Sequence, residues 1–281
     1  MGIIYALLSL VCAGLNDFLF RWFGGSARAP ARSVGLFVGL IGAVWCIVFF
    51  GLSLLHEAPM PGWKGLAIGS FAGLMSVASN LALIEAMKRT GAGLGSLAYR
   101  LNLVWVAVLA WLLFDEHFAA AKLAGLAMAV AAFLLMARVP KGHMERPGWA
   151  WLVVLVAAGF LRAWMGIAYR YAKEHDIPDA SFLVVNGAWW LFGGLLYGAL
   201  VERNLVVDGR TLRFALISGL LVSGIVLFMK LAVNSADTSI ALAVAQMSFL
   251  ITAPLSAWLL RERLTPARIA ALLFGAAGIA C

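Results

Sequence analysis

The sequence predicts an all-α integral membrane protein in which ten transmembrane helices form two inverted five-helix repeats around a central cavity. Three observations support this class. Hydrophobic residues make up 64% of the chain and charged residues only 12%, the apolar residues gather in long runs, and the basic residues between these runs alternate in number. The mean hydropathy of +0.97 excludes an ordinary soluble globular protein.

A spanning helix needs roughly 20 mainly apolar residues, and ten runs in the chain have about this length. They cover residues 2–22, 34–55, 64–86, 92–113, 118–137, 148–171, 180–200, 211–233, 238–260 and 265–281. Such runs favour helices, because the strand of a membrane barrel needs only about ten residues of alternating polarity. The first run lacks a basic start and contains Asn16, Asp17 and Arg21 near its end, so we interpret it as a retained span and not as a cleaved secretory signal.

The loops between the predicted spans alternate in their content of basic residues. Numbered from the first, the odd loops contain thirteen Lys and Arg residues, and the even loops contain only Lys64, Lys122 and Lys173. One missed span would scramble this alternation, and cytoplasmic loops are enriched in Lys and Arg. We therefore expect the odd loops on the cytoplasmic side, which places both termini outside.

The same charges divide the chain into two halves, residues 1–140 and 147–281, joined by a polar linker at 138–147. Basic residues crowd the first and third loops of the first half, but the second and fourth loops of the second half. Opposite charge polarity is what an inverted-topology repeat requires, and such repeats are frequent in secondary transporters. A short internal sequence similarity supports the division, since AWLLFDEHFAAAKLAG at 110–125 resembles AWLLRERLTPARIAA at 257–271.

Two longer segments resemble a known family: residues 82–136, beginning ALIEAMKRTGAGLGS, and residues 231–280, beginning LAVNSADTSIALAV. Each is similar to the EamA-type proteins of the drug/metabolite transporter superfamily, with a short Thr/Ser turn, an apolar helix, a Glu-containing hairpin and a Gly/Ala-rich helix. Glu116 and Glu262 match the hairpin carboxylate. The resemblance implies ten helices in two repeats, with the first four helices of each repeat around a central cavity.

The chain departs from this family in two respects. It has Asn102 and Leu103 where the family often carries a proline early in the fourth helix. The resemblance also implies cytoplasmic termini, whereas the loop charges favour the opposite orientation, so the orientation stays open at this stage.

A charge in the middle of a span costs about 2.5 to 3.5 kcal/mol on insertion scales, so each such residue needs a reason. Arg100 and Arg162 lie too deep to reach the headgroups easily, and we predict that they bind substrate or form internal pairs, with a purely structural role as the alternative. Lys230 lies about one turn from the end of a span, so a cavity and an interface position are both open. Arg21 and Arg170 lie at helix ends, where long side chains can reach the interface.

Asp17 is the carboxylate predicted at a comparable depth. Its spacing of four residues to Arg21 permits a local ion pair. The alternative is that Asp17 holds a coupling proton or cation, because carboxylates buried in transporters change protonation as they face alternate sides.

Uncharged polar side chains are concentrated in the spans expected around the cavity. The candidates for substrate binding are Asn16, Asn80, Tyr99, Asn102, Asn186 and Gln246, with Trp164 as a residue that could stack on a ligand. Hydrogen bonds between helices explain any one of the polar residues, and tryptophan is also common in packing and at membrane interfaces.

The deep charges make the predicted cavity net positive, and the guanidinium fork suits carboxylates and phosphates. We therefore predict a secondary transporter that moves a small organic anion, or a zwitterion with a carboxylate such as an amino acid, by alternating access. Short loops and the family resemblance suggest a bacterial inner membrane. The alternatives are an exporter of lipophilic cationic drugs, a membrane-embedded enzyme acting on a lipid-linked substrate, and a scaffold protein.

The sequence contains no phosphate-binding loop motif, and its three cysteines and four histidines lack metal-ligand spacing. We expect no catalytic residues, no metal and no cofactor. The expected partners are the small-molecule substrate, membrane lipids and a coupling proton or counter-ion. Nucleic acid is not expected, because loop Lys and Arg in a membrane protein are explained by topology. Monomer and dimer are both open.

Overall fold

The computed structural model of the protein describes residues 2–24, 33–55, 62–90, 95, 99, 102–114, 123–124, 127–128, 130–131, 134, 148–235, 247–259 and 266–280. Within these ranges the helices are α1 Gly2–Gly24, α2 Val34–Leu55, α3 Trp63–Thr90, α4 Asn102–Phe114, α5 Trp149–Glu174, α6 Asp179–Leu200, α7 Gly209–Ser235, α8 Phe249–Leu259 and α9 Pro266–Ala280.

Six of these helices, α1 to α3 and α5 to α7, are long and apolar enough to cross a membrane. Shorter apolar helices occupy 104–113 in α4 and 250–259 in α8. The bounds of α2 are the same as those of the second predicted span, and the other five differ from prediction by a few residues. The predicted count of ten spans is not confirmed, because most of the predicted fifth span at 118–137 and the linker at 138–147 lie outside the described residues.

Helices α2 and α6 pack with their backbones in close contact through glycine. A Cβ atom added at Gly35 would lie 2.3 Å from Gly198 N, and one added at Gly194 would lie 2.3 Å from Gly39 N. Residues that advance along α2 meet residues that retreat along α6, so the two helices are antiparallel. Small residues let helices approach closely where lipid supplies no hydrophobic drive for association.

The other helices pack around this pair in matched contacts. Helix α3 packs on α6 and α5, while α7 packs on α2 and α1. Helix α4 packs on α5, and α8 packs on α1. In chain order, α1 corresponds to α5, α2 to α6, α3 to α7 and α4 to α8. When each helix is replaced by its counterpart, every one of these contacts becomes another of the same contacts.

One end of the α2 and α6 pair is held by a carboxylate. Glu202, just after α6, accepts hydrogen bonds from the N–H groups of Val34 and Gly35, both at 2.9 Å, and from the hydroxyl of Ser33. Ser33 Oγ in turn accepts from the N–H of Leu36 at 2.9 Å. The first N–H groups of a helix have no partner within the helix, and a negative charge there is favourable. The contact therefore caps α2 and fastens it to the chain that leaves α6.

We predict that Gly194→Ala destabilises the protein by about 1–3 kcal/mol, because the added methyl group overpacks a backbone contact. Gly51→Ala is the matched control, since Gly51 is also helical and a Cβ there meets nothing within 4 Å. Thermal unfolding of the two variants in detergent measures the difference. Equal unfolding temperatures would contradict the close packing of α2 on α6.

Candidate functional site

Arg162 lies near the middle of α5 and is half-buried. Its guanidinium lies over the ring of Tyr99, with 5.4 Å between Cζ and the ring centroid. One guanidinium nitrogen, Nη1, donates to the sulfur of Met165 at 3.4 Å. Among the described residues no carboxylate forms an ion pair with Arg162. The positive charge is thus stabilised by an aromatic face and a thioether, which are weak partners for a guanidinium.

Two turns further along α5, Tyr169 meets Asn186 of α6. The amide nitrogen of Asn186 donates to the Tyr169 hydroxyl at 2.8 Å, and the Tyr169 ring packs edge-on against Phe182 with centroids 5.0 Å apart. Asn186 is fully buried. Its carbonyl oxygen, Oδ1, has no hydrogen-bond partner within the described part of the chain.

The start of α4 contributes further groups beside α5. Tyr99 and Asn102 are both buried, and Asn102 Oδ1 lacks a hydrogen-bond partner among the residues that the structure describes. Trp164 is half-buried and packs edge-on against Phe71 of α3 and Phe160 of α5. Of these residues, Tyr99 meets Arg162 directly, Trp164 contacts α3 and α5, and Asn102 lies in α4, which packs on α5.

A second polar cluster lies where α1 meets α7 and α8. Asp17 is 3% exposed and accepts a hydrogen bond from the Ser248 hydroxyl at 3.3 Å. The neighbouring Asn16 accepts from the Ser218 hydroxyl of α7. The Thr252 hydroxyl donates to the carbonyl oxygen of Gly14 at 3.1 Å. Asp17 and Asn16 therefore lie inside the protein and not on its lipid face.

Asn80 makes a hydrogen bond within its own helix. Its amide donates at 2.9 Å to the carbonyl oxygen of Ser76, one turn back in α3. Ser76 Oγ accepts from the indole N–H of Trp190 at 2.9 Å. This network joins α3 to α6 and accounts for Asn80 without a substrate.

For the remaining predicted site residues the structure describes no side chain. Arg100 and Gln246 lie outside the described residues. Lys230 lies in α7, but its side chain is not described. Of the residues predicted at helix ends, Arg170 forms an ion pair with Glu174 at 3.0 Å.

Sequence reasoning missed Tyr169 and the hydroxyl partners Ser218 and Ser248. Tyr169 could have been found, because a spacing of seven residues puts it on the same helix face as Arg162. The serines carry no such signal, since small hydroxyl residues are ordinary on packed faces of membrane helices. Within the described residues no group of three or more His, Cys, Asp or Glu could hold a metal ion.

Comparison with known proteins identifies the first half of the chain. Residues 1–138 match the model of the EamA-like transporter family. This part of the chain belongs to that family. The resemblance to the drug/metabolite transporter superfamily is thereby confirmed over residues 1–138, and the protein is a multi-pass integral membrane protein.

Solved structures share the fold. Twenty-eight chains match, among them one titled only "Crystal structure of protein", which is 17% identical with a TM-score of 0.66 and covers 97% of this chain and 96% of its own. At this identity the likeness shows the fold alone. No curated protein matches the chain.

We predict that Ser218→Ala destabilises the protein by about 0.5–1.5 kcal/mol, because the substitution breaks a hydrogen bond between α7 and α1. Ser223→Ala is the matched control on the same helix, since the buried Ser223 hydroxyl donates to the carbonyl oxygen of Gly219 within α7. Thermal unfolding of the purified variants makes the comparison. Equal losses would argue that the contact between Asn16 and Ser218 does not hold α1 in place.

Proposed function

We propose that the protein is a secondary transporter that moves a small organic anion, or a zwitterion with a carboxylate, by alternating access between two inverted repeats. The observation that carries the proposal is Arg162, a half-buried guanidinium whose described partners are an aromatic ring and a thioether. Burying a charge without an opposite charge is costly. A carboxylate in front of Arg162 supplies two parallel hydrogen bonds and the missing negative charge.

The matched helix contacts support the inverted repeat. Helix α2 is the second helix of the first half and α6 is the second helix of the other half, and the two run antiparallel. A twofold axis that exchanges two equivalent antiparallel helices is perpendicular to both of them. Because the helices cross the membrane, this axis lies in the plane of the membrane. Transporters with such repeats place their substrate between the repeats and alternate by rocking one against the other.

Each half carries an ionisable side chain in the interior of its first helix. Asp17 lies past the midpoint of α1, where α1 packs on α8, and Arg162 lies past the midpoint of α5, where α5 packs on α4. We propose that Arg162 belongs to the substrate site, with Tyr99, Asn102, Trp164 and Asn186 around it. In this proposal Asp17 holds the coupling proton or cation.

Three other predicted residues stay part of this proposal, although the structure does not describe their side chains. Arg100 and Lys230 add positive charge for an anionic solute, and Gln246 adds hydrogen-bonding capacity. The family of residues 1–138 and the loop charges together suit a bacterial inner membrane.

We predict that Arg162→Ala weakens binding of carboxylates to purified protein by tenfold or more, about 1.4 kcal/mol. Thermal shift in detergent reports this, since a ligand at about 100 times its Kd stabilises the fold by about 2.7 kcal/mol. Amino acids, carboxylates, phosphates and organic cations form the panel. Arg162→Lys should retain part of the binding, because it keeps the charge but loses the guanidinium fork.

Arg170→Ala is the control for this experiment. It removes an arginine from the same helix, but one that is paired with Glu174 near the helix end. Binding of carboxylates should therefore be unchanged. Stabilisation by cations alone, or an equal effect of the two alanine variants, would exclude an anion site at Arg162 and favour an exporter of cations.

We predict that Asp17→Asn abolishes uptake driven by an imposed pH gradient in proteoliposomes, while exchange of labelled for unlabelled substrate continues. A side chain that cannot be charged removes the coupling proton but leaves the substrate site. Asp176→Asn is the control, because Asp176 is exposed in the turn after α5 with φ 50°, a conformation that Asn tolerates. Loss of both activities in Asp17→Asn would mean that Asp17 supports the fold or the substrate site instead.

A further inference from the structure

The carbonyl oxygen of Asn186 stands out among the buried polar atoms near Arg162. The side chain is 0% exposed, its amide nitrogen is already used by the Tyr169 hydroxyl at 2.8 Å, and its Oδ1 has no partner among the described residues. A buried acceptor without a donor is costly, and such groups are almost always satisfied in native proteins. The bond to Tyr169 fixes the amide with its carbonyl oxygen directed away from the phenol.

The position of Asn186 relative to Arg162 follows from α5. Arg162 and Tyr169 are seven residues apart, so they lie on one face of the helix and are separated by roughly 10 Å along its axis. Arg162 also bonds to Met165, which lies between it and Tyr169 along the helix.

We infer that the transported solute carries, besides the anionic group bound by Arg162, a hydrogen-bond donor that is accepted by Asn186 Oδ1 and separated from the anion by several carbon atoms. The inference rests on the proposed function and narrows its substrate class. Because Arg162 and Tyr169 project from one face of α5, a ligand that reaches both ends of this site lies along the helix. An α-amino carboxylate carries its two groups on adjacent carbons and is too short to do so.

The donor requirement follows from chemistry at both ends of the site. An acceptor such as a second carboxylate would meet the Asn186 carbonyl oxygen with like polarity, whereas an ammonium, a hydroxyl or an amide N–H would complete its hydrogen bonding. Sites built to hydrogen-bond a polar group of the substrate reject analogues that lack it, since the buried partner is then left unpaired. Asn186 is therefore a specificity-determining residue, and Tyr169 orients it.

The test is a chain-length series measured by binding to the full-length purified protein. The probes are glycine, 3-aminopropanoate, 4-aminobutanoate, 5-aminopentanoate and 6-aminohexanoate, each beside the alkanoate with the same number of carbons. We expect the amino group to contribute nothing in the short members and to tighten Kd by about tenfold in those with four to six carbons, as one added hydrogen bond to a buried acceptor should. 6-Hydroxyhexanoate should show a similar gain over hexanoate.

Two variants test whether Asn186 causes this gain in affinity from the amino group. In Asn186→Leu the amino compounds and their alkanoates should bind equally, so that the amino gain is lost at every length. Asn186→Asp serves if the leucine variant does not fold, because it keeps the acceptor and should enlarge the gain for the ammonium compounds. An amino gain that is absent at every length, or that persists unchanged in Asn186→Leu, would overturn the inference.

The result also separates this inference from the proposed function. If the alkanoates bind and Arg162→Ala weakens them while no length shows an amino gain, the anion transporter stands and the role of Asn186 is refuted. If wild-type protein binds none of the carboxylates in the series or in the wider panel, both proposals fail.

Discussion

The backbone contact between α2 and α6 is the constraint on which the rest of the structure depends. In a bilayer, apolar side chains gain little by leaving lipid for protein, so close packing must supply what the hydrophobic effect supplies in water. Gly35, Gly39 and Gly194 allow the two backbones to touch. Helix α3 then packs on α6 and α7 on α2, and α5 and α1 pack in turn on these. The positions of Arg162 and Asp17 thus follow from a glycine contact that neither residue touches.

Buried polar groups divide into those that hold the helices together and those that the described chain leaves incomplete. Asn16 with Ser218 and Ser76 with Trp190 join separate helices and are satisfied. Asn102 and Asn186 each retain an oxygen without a hydrogen-bond partner among the described residues, and Arg162 has an aromatic ring and a thioether as its described partners. A membrane interior makes such groups expensive, and in our proposal a solute completes their bonding. The cluster around Asp17 lies against α1, in the other half.

Prediction from sequence was accurate for helices and uneven for side chains. The second span was predicted at 34–55 and α2 has these bounds, because every polar backbone group in lipid must be satisfied within its own helix. Arg162 and Asp17 were recognisable because charge at depth is rare. Asn80 stays a prediction, since its amide bonds to its own helix and sequence does not distinguish such a bond from one to a ligand. Tyr169 was overlooked because its neighbour Asn186 comes from another helix.

The sequence by itself determined that the chain is helical, that it belongs in a membrane, and where six of its spans begin and end to within a few residues. These properties follow from apolar length and local charge, which are additive along the chain. The tertiary structure alone decided which polar groups meet, such as Asn186 with Tyr169 and Asp17 with Ser248. Those meetings depend on how each helix is rotated about its axis and which neighbour it faces. That rotation is set by close contacts of a few among the 29 glycines, and the apolar pattern does not mark which ones.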